Sequence, residues 1–379
     1  MHDPDQTAAT PPTAATLRAH YNHVVLPIWR GPGFNTVLRL AFEAVAENGR
    51  TPLPPQRYRA MACARQLFVF SQAGDIDHAD TLFASLRTYF QDTKNGGWFY
   101  SVDANGAPHE RHKDLYTHAF VIFACAEYAK RAGSAAAKEA LAVLEDTSVV
   151  IERRMAISAG GNGAGVDGLF SSAMTEDFST ALGPPLQNPL MHLTEAWLAA
   201  REATGDAIFD QRLEKLAAAF ARAFVHEETG CIAELTIGSA NNWLEPGHQF
   251  EWLFLAEASR HPAFDAAGLN RALVRGFDFV QQHGVDPVTG GVAASLNEQG
   301  GMIDSTQRIW AQTEYLRALA THADQSVRAL LPAQIARFSA RFIRPRGWIE
   351  SQSAEGVVMR PELPSTTPYH LATAYAALP

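Results

Sequence analysis

Five short glycine-led segments recur along the chain at nearly constant spacing, and the stretches between them carry helical patterns. They read GWFYSVDANG from Gly97, GLFSSAMTED from Gly168, GCIAELTIG from Gly230, GVAASLNEQG from Gly291 and GWIESQSAEG from Gly347. Their starts lie 71, 62, 61 and 56 residues apart. Each is a glycine, a few alternating residues and then turn chemistry, which fits a small hairpin. Such a spacing accommodates two helices and a hairpin, so the chain repeats one supersecondary unit.

The intervening windows, among them RYRAMACARQLFVFS, DLYTHAFVIFACAEYAKRA and IWAQTEYLRALATHA, are apolar on more than one face. That pattern belongs to helices buried on several sides. Repeats of an outer and an inner helix close naturally into an all-α (α/α)6 barrel with short β-hairpins in its loops. No break in composition divides the chain, so a single barrel domain is expected over residues 16–379, behind a disordered tail at residues 1–15 rich in Pro, Thr and Ala.

With 379 residues, 47% hydrophobic and 19% charged, the chain can bury a large core. A net charge of −9 lacks the basic footprint of nucleic-acid binding. The N-terminus has no basic stretch followed by an apolar run, so no secretory leader is read there. No run approaches the length of a membrane span. Cys63, Cys125 and Cys231 are odd in number and far apart, which suits buried, reduced thiols in a cytoplasmic protein rather than a disulfide framework or a thiolate metal site.

One polar or aromatic position near the start of each buried helix stands out. The series is Arg65, Tyr116, His192, His248, Trp310 with Glu314, and His370. Three of these helices open alike, as Asn188-Pro189-Leu190-Met191-His192, Glu245-Pro246-Gly247-His248 and Thr367-Pro368-Tyr369-His370. Asn and Thr are good caps and Pro suits the first turn, so each histidine is expected at a barrel mouth. The positive helix end there favours neutral imidazole, suited to a base at neutral pH. Glu251 and Glu314 are acids in apolar helices, fit to orient a histidine or bind a hydroxyl. Trp310 can stack on a sugar ring. Trp98, Trp243 and Trp348 are loop aromatics that can line the mouth.

No HExxH, EF-hand loop, GxGxxG opening a helix or P-loop occurs. His109 and His112 lie in a turn beside Arg111 and Lys113, poor company for a cation. Neither a metal nor another cofactor is expected.

The segments ARQLFVFS (64–71), KDLYTHAF (113–120), NPLMHLTEA (188–196), PGHQFEW (246–252), RIWAQTE (308–314) and TPYHL (367–371), all in order, resemble the N-acylglucosamine 2-epimerase superfamily. The form GHQFEW is similar to its mannose isomerase branch rather than to the GHDIE-like form of the cellobiose epimerases. The resemblance covers roughly residues 16–379. It implies an (α/α)6 barrel, with His248 and His370 as acid/base catalysts and Arg65, Tyr116, Asn188, His192, Glu251, Trp310 and Glu314 in the substrate pocket.

Moving a proton off the carbon beside a sugar aldehyde needs a base near C2 and stabilisation of the enediolate oxygen. His370 is read as that base, His248 as the partner that opens the ring or returns a proton, and Arg65 as the group that steadies charge on oxygen. The substrate expected is a free monosaccharide, D-mannose converted to D-fructose, with a 2-epimerase as the alternative; a homodimer stays open. A glycoside hydrolase or lyase on the same barrel needs two carboxylates flanking the scissile bond. A sugar-binding barrel without turnover is the non-enzymatic reading. A phosphorylated or sulfonated sugar needs extra cations, for which Arg308, Arg344, Arg346 and Arg360 are candidates.

Overall fold

The computed structural model describes residues 12–157 and 166–379. Most of the expected tail lies outside these, but its last residues do not. Thr13 and Thr16 cap each other reciprocally, so helix α1 (Ala14–His20) starts two residues before the expected domain boundary, with Ala14 and Leu17 in the core. The chain continues through a π-helical turn (Tyr21–Val25) into α2 (Leu26–Arg30).

From there helices come largely in pairs. They are α3 (Ala60–Gln72) and α4 (Ile76–Phe90), α5 (Leu115–Ala129) and α6 (Ser134–Arg154), and α7 (Gln187–Thr204) and α8 (Ile208–Phe224). Next come α9 (Pro246–Ser259), the short α10 (Pro262–Ala266) and α11 (Leu269–Gly284). Last are α12 (Ile309–Thr321), the short α13 (Gln325–Arg328), α14 (Leu331–Phe342) and α15 (Thr367–Ala377). In sequence order α3, α5, α7, α9, α12 and α15 pack one against the next, and α15 returns to α3, which closes a barrel. The partner of each packs outside it.

Residue pattern explains the two layers. Outer α11 buries Leu269, Leu273, Gly276, Phe277 and Val280, a stripe at helical spacing, and leaves its other side to solvent. Inner α9 buries every residue from Pro246 to Leu253. Each large apolar side chain so buried contributes roughly 1.5–3 kcal/mol.

The leading glycine ends a tight turn, and the hairpin follows it: Val225 pairs with Ile232 and Val285 with Val292 across such turns. Gly230 shows why glycine stands there, since its φ is +76° and a Cβ would lie 2.3 Å from the Ala272 carbonyl oxygen. Beyond the turn the expected hairpins form: Ser295–Leu296 with Met302–Asp304, Ser351–Gln352 with Val358–Arg360, and the bridges Val102–Pro108 and Met174–Ala181 in two other segments. Other strands pair across repeats. Arg57–Arg59 joins Ser101–Asp103, Lys113–Asp114 joins Ala173–Met174, Leu244 joins Leu296, Gln307–Arg308 joins Ser351–Gln352, and Leu363–Pro364 joins Ala44–Val45. Two-residue strands are too short to stand alone. They instead tie the approaches of successive inner helices together around one mouth.

Candidate active site

A cavity of about 460 Å³ opens at that mouth, among the N-terminal turns of the inner helices. Eight of the expected residues line it: Arg65, Tyr116, Asn188, His192, His248, Glu251, Trp310 and His370. Glu314 does not; it lies fully buried behind His370.

His248 stands on the first turn of α9. Its Nδ1 donates to Glu234 Oε1 at 2.7 Å, while Gln187 Nε2 donates to the same carboxylate at 2.8 Å and Gln187 Oε1 accepts from the Trp252 indole at 3.0 Å. This fixes the ring with Nε2 free of hydrogen bonds to the described residues. Burial works against a charge here, but Glu234 and then Glu245, 3.9 Å away, outweigh it and push the imidazole up to about 9. His248 is therefore an imidazolium at neutral pH. That corrects the expectation of a neutral ring at each helix start: two carboxylates close by dominate a helix dipole.

His370, on the first turn of α15, has the same arrangement with the opposite charge. Nδ1 donates to Glu314 Oε1 at 2.9 Å. Burial, then Arg65, His192 and Arg317, hold it well below the usual histidine range, so it is neutral. His192 donates from Nδ1 to Glu195 Oε2 at 3.2 Å, and burial brings it down to about 4. Glu195 also accepts the Tyr369 hydroxyl at 2.5 Å; burial opposes its charge, but His192 and Arg317 hold it at about 2.

Trp310 stands between the two catalytic candidates, its ring centroid 4.9 Å from that of His248 and 5.8 Å from that of His370. Gly247 leaves it room: a Cβ there would sit 2.6 Å from the indole. Arg65 donates to the Tyr116 hydroxyl at 2.7 Å and lies over the Phe120 and Tyr369 rings at 4.2 and 4.8 Å. Glu251 is not the orienting partner of His248. Its carboxyl faces His192 at 4.0 Å and Arg317 at 3.8 Å, both oxygens lack a hydrogen bond among the described residues, and burial with Glu314 and Glu195 nearby raises it well above the carboxylate range. It presents a neutral carboxylic acid to the cavity.

Asn188 and Thr367 are not caps. The helices begin two residues and one residue earlier in register, with Leu186 and Thr366 in the capping positions and no side-chain cap at either. The Asn188 amide oxygen is left buried and unpaired among the described residues, on the cavity wall. Of the loop tryptophans, Trp243 lines the cavity, and Trp348 reaches it through its hydrogen bond to Glu350 at 2.9 Å. Trp98 instead bonds Thr147 in the core.

Arg308 lines the cavity too, and so do Glu234, Glu245 and Glu350, which escaped the sequence reading. So did Gln187, Glu195 and Arg317 behind it. The spacing His-x-x-Glu occurs twice, at His192–Glu195 and His248–Glu251, and applying it to both finds Glu195. Glu234 and Glu350 are each the first acid after a leading glycine. Two groups bring metal-ligand atoms within 4.8 Å of one another: His192, Glu195 and Glu251, and Glu234, Glu245 and His248. Both already hold a positive charge, Arg317 in the first and the His248 imidazolium in the second. The three cysteines are buried and unpaired. No helix among the described residues is long and apolar enough to cross a membrane.

The sequence profile of the family described as N-acylglucosamine 2-epimerase (GlcNAc 2-epimerase) matches residues 42–374. A mannose-6-phosphate isomerase of Rhizobium meliloti is 28% identical over 384 residues, covering 94% of this chain and 94% of that protein. A D-mannose isomerase of Thermobifida fusca is 30% identical over 205 residues, 52% of this chain and 44% of that one. Among solved structures, a D-mannose isomerase superposes with a TM-score of 0.82 at 19% identity, covering 97% of this chain and 98% of the other. A cellobiose 2-epimerase from Spirochaeta thermophila superposes with a TM-score of 0.81 at 20% identity, covering 96% and 95%.

Proposed function

Because the chain belongs to the N-acylglucosamine 2-epimerase family, whose relatives here are sugar isomerases and epimerases, we propose that it is an aldose–ketose isomerase acting on free sugars, foremost D-mannose to D-fructose. The scaffold is read as one (α/α)6-barrel domain, and no metal is required. The observation that carries this reading is a pair of histidine–glutamate dyads on one cavity, one ring neutral and one protonated.

In the open-chain aldose, His370 Nε2 removes the hydrogen at C2. The electron pair moves into a C1–C2 double bond and onto O1, where the His248 imidazolium delivers its proton and Arg65 steadies the charge. His248 then takes the proton from O2 as the His370 proton is returned to C1, which leaves a ketone at C2 and both histidines as they began. Glu251 and Asn188 offer hydrogen bonds to hydroxyls, and Trp310 offers its face to the ring.

Free sugars fit better than phosphorylated ones. Of the four arginines considered for an anionic group, Arg308 alone lines the cavity, amid Glu234, Glu245 and Glu350. Arg360 is paired with Glu362, and Arg344 bonds backbone carbonyls.

One observation favours the 2-epimerase alternative: a neutral base and a protonated acid are also what removal of a C2 proton and redelivery to the opposite face require. Early turnover of mannose in deuterated water, followed by NMR, separates the readings. Fructose labelled at C1 ahead of any glucose is the expected result. Glucose labelled at C2 as the first product makes the protein an epimerase, mannose 6-phosphate as the preferred substrate overturns the free-sugar reading, and binding without turnover leaves a sugar-binding barrel.

A further inference from the structure

Arg317 lies beneath the cavity and does not line it, yet it is the common contact of the carboxylates that hold two of the cavity's histidines. From α12, three residues after Glu314, its Nη1 donates to Glu314 Oε2 at 2.6 Å and lies 3.8 Å from Glu251 Oε1, while Nη2 is 3.6 Å from Glu195 Oε1. Its Cζ sits 3.9 Å over the Phe254 ring. Glu314 and Glu195 pass the contact on to Nδ1 of His370 and of His192. On its far side the same guanidinium borders a second cavity, of about 700 Å³, among the C-terminal ends of the inner helices. It is thus a partition between the two ends of the barrel.

We propose that Arg317 is the positioning residue that keeps His370 uncharged and aimed into the active cavity, by neutralising and orienting the Glu314 carboxylate behind it. This rests on the proton-transfer reading above. A carboxylate bonded to an imidazole raises its proton affinity. At His248 the Glu234 carboxylate has no ion pair among the described residues except the ring itself, and the ring is protonated. At His370 the carboxylate is shared with a guanidinium, whose planar fork also fixes its direction. Besides Arg317, the charged groups acting most on His370 are Arg65 on α3 and His192 and Glu195 on α7, while His248, Glu251 and Glu350 share its cavity. Without Arg317 the Glu314 and Glu195 carboxylates would face these rings with Arg65 as the remaining nearby guanidinium, and His370 would take up a proton at neutral pH.

The test uses the full chain with Arg317→Met, Arg317→Gln and Arg317→Lys, and reads two quantities. One is the pH profile of kcat/KM for the sugar substrate. The other is the titration of the His370 ring by NMR, assigned by its loss in His370→Gln. In the Met and Gln variants the acid limb of the profile and the ring titration should both move up by more than one pH unit, to neutral pH or above, so that activity at pH 7 falls at least about twofold and recovers at higher pH. Arg317→Lys keeps the charge and should leave both near wild type. A folded Met or Gln variant with an unmoved ring titration overturns the proposal. If neither folds, a shift of more than a unit in Arg317→Lys overturns it, and an unmoved titration there supports it. A ring titration that moves in a protein without sugar turnover upholds the placement of the proton and sinks the isomerase reading instead.

Discussion

The cavity holds two copies of one device, and they differ in charge. In each, a glutamate from outside the histidine's own helix takes Nδ1 and leaves Nε2 to the cavity. Behind Glu234 stands a neutral amide, Gln187, with a second carboxylate, Glu245, nearby. Behind Glu314 stands Arg317. The first ring is an imidazolium and the second a neutral imidazole. The contact each histidine makes is therefore not what sets its role; the charges around each dyad and its burial do.

The largest effect should come from removing either ring. His248→Ala and His370→Ala should each lower kcat at least about 10²-fold, the scale of general acid–base catalysis. Steady-state assays on folded variants check this. Near-normal turnover in either would remove that dyad from the chemistry and end the comparison.

The carboxylates should then separate the dyads by pH. His248 carries its proton up to about 9, so kcat/KM should fall only above that value. Glu234→Gln removes the largest force favouring the charge, so the ring loses its proton sooner and the alkaline limb moves toward neutral pH. At pH 8 that amounts to a loss of roughly tenfold. The same linkage acts on stability: the contribution of the raised pKa is full below about 6.5 and is lost as pH rises through about 9. Glu314→Gln should lower the height of the profile and leave its limbs in place, because His370 is already neutral there. If both variants shift the same limb, the two dyads are not opposite in charge.

How far the sequence reached follows from this contrast. The repeat spacing and the helix-start residues were enough to place both rings, Arg65, Tyr116, His192 and Trp310 on one cavity, because helix period and repeat length alone decide which ends share a mouth. The charge states were not legible in full. The expected neutral ring is found at His192 and His370, though burial is its main cause there, and fails for His248, whose decisive neighbour Glu234 comes from a loop near the Gly230 turn, where periodicity says nothing about facing. Likewise the strand pairings Leu244–Leu296 and Arg57–Arg59 with Ser101–Asp103 join residues a repeat apart, which local turn chemistry cannot foresee.

A smaller effect probes the wall between the dyads. Gly247→Ala puts a Cβ 2.6 Å from the Trp310 indole and 2.8 Å from the Ala311 Cβ. The indole must shift, and overpacking of this kind costs about 1–3 kcal/mol. Thermal or denaturant unfolding should show that loss, with KM for the sugar rising as the stacking face moves. An unchanged midpoint and KM would mean that Trp310 yields freely and does not separate the rings.

The smallest expected effect is none at all, on exhaustive chelation. Each dyad is accompanied by an acidic cluster with metal-ligand spacing, so the clusters look like cation sites by distance alone. Their charge says otherwise. In the first, Glu195 and Glu251 lie 3.6 and 3.8 Å from the Arg317 guanidinium, and a divalent ion there would face a fixed positive charge that cannot be titrated away. In the second, a metal would compete with the proton on His248, bound up to about pH 9. Each cluster thus has its cation built in, a guanidinium on one side and an imidazolium on the other, and the reaction as written uses both in that form. Activity should survive dialysis against a strong chelator unchanged, at neutral pH and at pH 8 alike. Loss of turnover with recovery on adding one divalent ion would show that a cluster holds a metal after all. Variants would tell which: Glu234→Gln removes a ligand from the second cluster alone, and Glu195→Gln from the first alone.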